Sequence, residues 1–142
     1  MANYVHTVRT NYFRVKDQEQ FIDFADHLHG ESGNVRLMMR DEPGEERRFA
    51  LGCDGGIDGF FIHEDDDPED AYELFLTSLQ NYVAEDDAVI ILDVGNEGLK
   101  YVAGLATIVT SKEIEYLDLT EIAKHRATKM LGNSEWTTEC DY

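Results

Sequence analysis

Carboxylates are the residues in this chain best placed to do chemistry. Seven of the ten positions from Glu64 to Glu73 are acidic: Glu64, Asp65, Asp66, Asp67, Glu69, Asp70 and Glu73. Glu85, Asp86 and Asp87 follow, with Asp93 and Glu97 beyond them. On a helix Asp66 and Asp70 stand four apart, as do Glu69 and Glu73. Like charges at that spacing destabilise a helix by about 0.2–0.5 kcal/mol per pair. No Lys or Arg is interleaved to relieve the cost. Uninterrupted carboxylates can hold a metal ion, or they can hold a basic protein. A bland reading also exists, a solvated helix face whose first-turn acids suit the helix dipole, and it suffices for Asp67, Glu69 and Asp70 taken alone.

The metal alternative rests on Asp54, Asp58, Gly59 and Asp65, which fall at positions 1, 5, 6 and 12 of a calcium loop. The pattern breaks at two places. Position 3 is Gly56, and position 12 is Asp where the bidentate ligand is normally Glu. The flanking segments also read as strands, not as the paired helices such a loop joins. Capping of turns by these aspartates is the simpler account. Histidines add no ligand set. His27 and His29 are two apart on the first expected helix and point to different faces, His63 sits beside Glu64 and Asp65 with no triad in view, and His6 and His125 stand alone. Cys53 and Cys140 have neither CxxC nor Cys/His ligand spacing, and Asp54 opposes thiolate formation at Cys53. No nucleophile elbow, phosphate loop or dinucleotide fingerprint occurs. The expectation is a chain with no catalytic residues and no cofactor.

Charge is concentrated where those acids lie. The formal net charge is −18, and residues 51–97 hold fourteen Asp and Glu with no Lys or Arg. The flanking segments, 1–50 and 98–142, are each net −2. Such a block repels nucleic acid and anionic membrane and attracts proteins built to hold phosphates. Arg9, Tyr12, Phe13, Arg14 and Lys16 interleave bases with aromatics, but direct nucleic-acid binding is not expected at this net charge. At 42% hydrophobic and 11% aromatic the chain can build a core and is not an acidic disordered segment. It contains no apolar run of membrane-span or signal-peptide length, so a reduced cytoplasm is the expected compartment.

The elements that must position these residues are legible from periodicity and caps. Val5 to Val15 reads as a strand. Asp17 with Gln20 forms a capping box ahead of Phe21, Phe24, Ala25 and Leu28, with Gly30 as the stop. Val35 to Arg40 and Arg47 to Gly52 flank the turn Asp41-Glu42-Pro43-Gly44 as a hairpin. Residues 53–59 read as a glycine-rich loop, and Phe60 to Ile62 as a short strand. Asp67, Pro68, Glu69 and Asp70 start a helix that buries Tyr72, Phe75, Leu79, Tyr82 and Val83 and ends near Glu85. Ala88 to Val94 is a central strand, Gly95 to Gly98 a turn, and Leu99 to Val109 the return, with Gly104 a bulge or a point of close packing. Ile114 to Leu117 is a last strand. Asp118 with Glu121 then caps a helix with Ile122, Ala123, Ala127, Met130 and Leu131 on one face and Gly132 as its stop. The result is one α+β domain over residues 1–132, a mostly antiparallel sheet of hairpins with about three helices packed on one side, followed by a loosely held tail at 133–142.

The run Val8-Arg9-Thr10-Asn11-Tyr12-Phe13-Arg14-Val15-Lys16-Asp17, followed by an Asp-capped helix, a hairpin and Phe49-Ala50-Leu51-Gly52, resembles the start of small uncharacterised bacterial proteins carried on phage and plasmid DNA. The resemblance transfers no catalytic residue and implies a mobile-element setting. By charge and size the chain looks like the DNA-mimicking anti-restriction and anti-CRISPR proteins. The expected function is an acidic inhibitor whose partner-binding residues are Glu64, Asp65, Asp66, Asp67, Glu69, Asp70, Glu73, Glu85, Asp86 and Asp87. Its expected partner is a basic nucleic-acid-binding protein: a restriction enzyme, a CRISPR effector or another nuclease. The alternatives are a calcium-binding or accessory structural domain of a mobile element. An edge strand in the Leu99 to Leu117 region offers a route to a homodimer.

Overall fold

A computed structural model of the chain describes residues 4–30, 33–60 and 71–138. The elements run β1 (Val5–Thr10), α1 (Gln18–Asp26), β2 (Leu28–Gly30), β3 (Gly33–Asn34), β4 (Arg36–Arg40), β5 (Arg48–Asp54), β6 (Ile57–Phe60), α2 (Ala71–Tyr82), β7 (Val89–Glu97), β8 (Lys100–Val109), β9 (Ile114–Asp118) and α3 (Leu119–Leu131). Six strands form one antiparallel sheet in the order β4-β5-β1-β7-β8-β9, and β3-β2-β6 form a small second sheet. This is the α+β architecture expected from the hairpin pattern. The register of β4 against β5, from Arg36↔Gly52 to Arg40↔Arg48, is that of the hairpin anticipated around Pro43.

Alternation along the strands divides the large sheet into two faces. Val8, Thr10, Phe49, Leu51, Val89, Ile91, Thr107 and Val109 turn inward and are buried. Phe21, Phe24 and Ala25 of α1 and Phe75, Leu76 and Leu79 of α2 close over them. Phe21 centres this core, with its ring 5.5 Å from Phe13, 5.3 Å from Phe49 and 6.1 Å from Tyr82. Residues one step out of phase face the other way. On β7 Ile90, Leu92 and Val94 are exposed. By register Arg9, Arg36, Arg40 and Arg48 share that outer face, where the guanidinium groups of Arg9 and Arg40 each lie 5.6 Å from the Tyr12 ring centre.

Several elements depart from the sequence reading. The first helix ends at Asp26, not at Gly30, because Leu28 to Gly30 pair with β6 and β3; Leu28 is buried all the same. The expected glycine-rich loop at 53–59 is largely strand. Cys53 pairs with Val8, Gly55 turns with φ 84°, and β6 begins at Ile57. Gly95 is no turn residue but lies within β7 opposite His6, and the reversal falls at Gly98 with φ 60°. α2 stops at Tyr82, and Val83 instead bridges to Val15. The expected cap of α2 at Asp67 and Pro68 and the end of the Phe60 to Ile62 strand lie outside the described residues.

The last helix is capped as its sequence demands. Asp118 accepts from Thr120 N at 2.9 Å and from Glu121 N at 3.4 Å, and Gly132 closes the helix with φ 64°. Its apolar stripe contributes no buried residue. Leu119 lies across Gly104, where an added Cβ would come within 3.1 Å of it, so Gly104 serves close packing.

Candidate functional site

The expected partner-binding acids fall into two groups. Glu64, Asp65, Asp66, Asp67, Glu69 and Asp70 lie outside the described residues. Glu73, Glu85, Asp86 and Asp87 are described and stand at opposite ends of α2. At 1.5 Å per residue those ends are about 18 Å apart.

The C-terminal end of α2 is knitted to the first third of the chain. Phe13 and Val15 turn into the core on either side of Arg14, so Arg14 faces outward beside this end. Its Nη2 lies 3.0 Å from Asp86 Oδ1, and its Nε lies 3.5 Å from Asp87 Oδ2. Asp87 is also a backbone anchor. Its carboxylate accepts from Arg14 N at 2.9 Å and from Ala88 N at 2.8 Å. The hydrogen bond to Asp86, followed by the Asp86 charge, raises the Arg14 pKa above its ordinary value. Asp87 is therefore committed to contacts within the fold, while Asp86 pairs with Arg14 but stays exposed, as Glu85 does.

The N-terminal end differs. Glu73 is exposed in the first turn of α2 and lies near enough to the Tyr116 hydroxyl of β9 for its charge to raise the Tyr116 pKa. Behind it a cavity of about 440 Å³ opens between the start of α2, the Gly56–Ile57 corner and the inner face of the large sheet. Its floor is Val8, Ile57, Ile91 and Leu105. Its polar groups are His6, Asp93, Thr107, Tyr72, Tyr116 and Asp118, and among the described residues no Lys or Arg lines it. His6 Nδ1 lies 2.8 Å from Asp93 Oδ1, and the Tyr4 ring centre is 5.3 Å from that of His6. The glycine at 95 makes this possible. A Cβ there would come within 2.5 Å of the His6 Cβ and 2.7 Å of the Tyr4 hydroxyl.

Apart from His6, paired with Asp93, the charged groups around this end among the described residues are acids. Burial raises the pKa of Tyr72, Thr107 opposes that rise, and the charges of Asp93 and Glu73 raise it further. Partial burial and then Glu73 raise Tyr116, while partial burial and then Asp93 raise Tyr4. All three phenols are held neutral and able to donate, in a field that favours positive charge.

The other candidates are dispersed. Asp54 is exposed at the end of β5, Asp58 is on β6, and Asp65 lies outside the described residues. Residues 54–60 run strand, turn, strand and do not coil as a calcium loop does. Among the described residues no three His, Cys, Asp or Glu converge as a metal site. Cys53 is buried, its Sγ 3.4 Å from Asp54 O, as a small core residue. His27 bonds its own helix at Asp23 O, and His29 and His125 are exposed.

Sequence reasoning treated His6 as isolated because its partner Asp93 is 87 positions away. One signal was present. In Val89, Ile91, Asp93 the inward phase of a central apolar strand carries a charge, and an inward charge needs a partner. Among the described residues no helix is long and apolar enough to cross a membrane. No family model matches this chain, and no curated protein or solved structure matches it either.

Proposed function

We propose that this chain is an acidic protein-binding inhibitor that occupies the nucleic-acid groove of a basic partner, in the manner of anti-restriction and anti-CRISPR proteins, inside a bacterial host cell. The observation that carries the reading is charge segregation. Residues 51–97 bear fourteen acids and no base. They include α2, which covers the inner face of the large sheet, whereas Arg9, Arg36, Arg40 and Arg48 are gathered on its outer face. On that outer face Arg40 and Arg48 are paired with Glu42 and Glu45, so the excess negative charge of the chain rests on the base-free block. Proteins that hold DNA line a groove with Lys and Arg to meet one phosphate charge per roughly 1.7 Å of axis. A carboxylate surface can fill such a groove, with fast and salt-sensitive association.

Because Asp86 and Asp87 already hold Arg14, the binding charge in this reading rests mainly on Glu64 to Glu73. The test is capture from bacterial lysate on the immobilised protein, elution with rising salt, and competition with duplex DNA. A basic nuclease, restriction subunit or CRISPR effector that elutes at moderate salt and is displaced by DNA supports the proposal. Retention of no basic protein even at low salt overturns it.

A further inference from the structure

We infer that the cavity beside the start of α2 is a binding site for an organic cation, an alkylammonium or alkylguanidinium group on an aliphatic stem. Its volume, about 440 Å³, lies within the range of ligand pockets. The lining sorts itself by depth and chemistry. Val8, Ile57, Ile91 and Leu105 offer an apolar bed for a stem. Tyr72 and Tyr116 offer aromatic surface, which attracts a cation through the negative face of the ring. Asp93 and Asp118 lie in the wall, Glu73 is close enough to act on Tyr72 and Tyr116, and among the described residues no Lys or Arg lines the cavity. The same charges that raise the tyrosine pKa values would stabilise a guest of the opposite sign.

An anion is disfavoured on the same grounds, because the formal charges in the described lining are Asp118 and the His6–Asp93 pair. The inference does not depend on the nucleic-acid-mimic reading. The cation can be a free amine or the side chain of a Lys or Arg on another protein.

The experiment titrates the isotope-labelled full chain with n-butylammonium chloride and with butylguanidinium chloride at constant ionic strength. NMR shifts of His6, Tyr72, Thr107 and Tyr116 are followed, with n-butanol and butyrate as the neutral and anionic controls. The expected result is saturable shifts at these residues with the cations, none with butyrate, and at least tenfold weaker binding to n-butanol. Asp93→Asn should weaken cation binding at least tenfold. Glu73→Gln, at an exposed position that tolerates change, should weaken it several-fold and serves should Asp93→Asn fail to fold. A blocked Gly-Lys-Gly peptide separates the two sources. Binding as tight as butylammonium supports a partner's side chain, and binding only of the free amine supports a small molecule. No saturable shift with either cation, or equal binding of n-butanol, overturns the inference.

Discussion

The two ends of α2 carry similar sequences of acids and put them to different use. At the C-terminal end Asp86 and Asp87 are met by Arg14 and by two backbone N–H groups. At the N-terminal end Glu73 raises the pKa of Tyr116 and Asp93 meets His6, and among the described residues no Lys or Arg lines the neighbouring cavity. Formal charge counted along a chain is therefore not the charge a surface presents. Arg14, 72 positions before Asp86, cancels part of a block that looks base-free in sequence. What remains of the block lies, along the chain, mainly in the ten residues that end at Glu73.

That contrast can be broken from either side. The largest effect is expected from Asp87→Ala, which strips the acceptor from Arg14 N and Ala88 N. Hydrogen bonds to a charged group contribute about 1.5–3 kcal/mol, so urea denaturation should show a loss of about 2–3 kcal/mol. Gly95→Ala should cost a comparable amount, about 1–3 kcal/mol, because the added Cβ would meet the His6 Cβ at 2.5 Å and the Val5 carbonyl oxygen at 2.7 Å. It should also push His6 away from Asp93, seen as a changed His6 ring signal. Glu85→Ala, at the same end as Asp87 but exposed, should change stability by less than about 0.5 kcal/mol. An Asp87→Ala variant as stable as Glu85→Ala would erase the difference between anchoring and surface acids.

The smallest effects are on proton equilibria. Glu73→Gln should lower the pKa of Tyr116 towards its ordinary value in an ultraviolet titration of tyrosinate, since it removes the negative charge beside that phenol. Tyr72 extends the argument to stability. Its folded pKa is raised above 10.0, so the neutral phenol is favoured in the native state. The stability this provides is intact below the unfolded pKa and is lost as pH rises through the folded one. Above about pH 10 the chain should lose stability more steeply than its Tyr72→Phe variant, measured as urea midpoints.

Much of the scaffold was legible because local chemistry dictates it. Asp17 and Asp118 cap α1 and α3 as their spacing to Gln20 and Glu121 requires. Phe21, Phe24, Phe75 and Leu79 were readable as buried from helical period alone. The failures are pairings across the fold. Residues 53–59 looked like loop because glycine is a poor strand former, and they are strand because β1 and β2 supply partners. Gly95 looked like a turn, but its lack of a Cβ admits His6 and Tyr4. The α3 stripe was read as the apolar face of the helix, and Ile122, Met130 and Leu131 on it are exposed. The cavity was invisible because it gathers His6, Tyr72, Asp93 and Tyr116 from four elements, and no spacing in the chain announces that.

The central claim is that the negative surface acts from the start of α2 and not from its end. The direct measurement compares two charge reversals in salt-gradient capture: Asp66→Lys with Asp67→Lys, Glu69→Lys and Asp70→Lys, against Glu85→Lys with Asp86→Lys. The account predicts that the first variant loses the basic proteins held by the native chain and that the second keeps them. Retention by the first, or loss confined to the second, would contradict it.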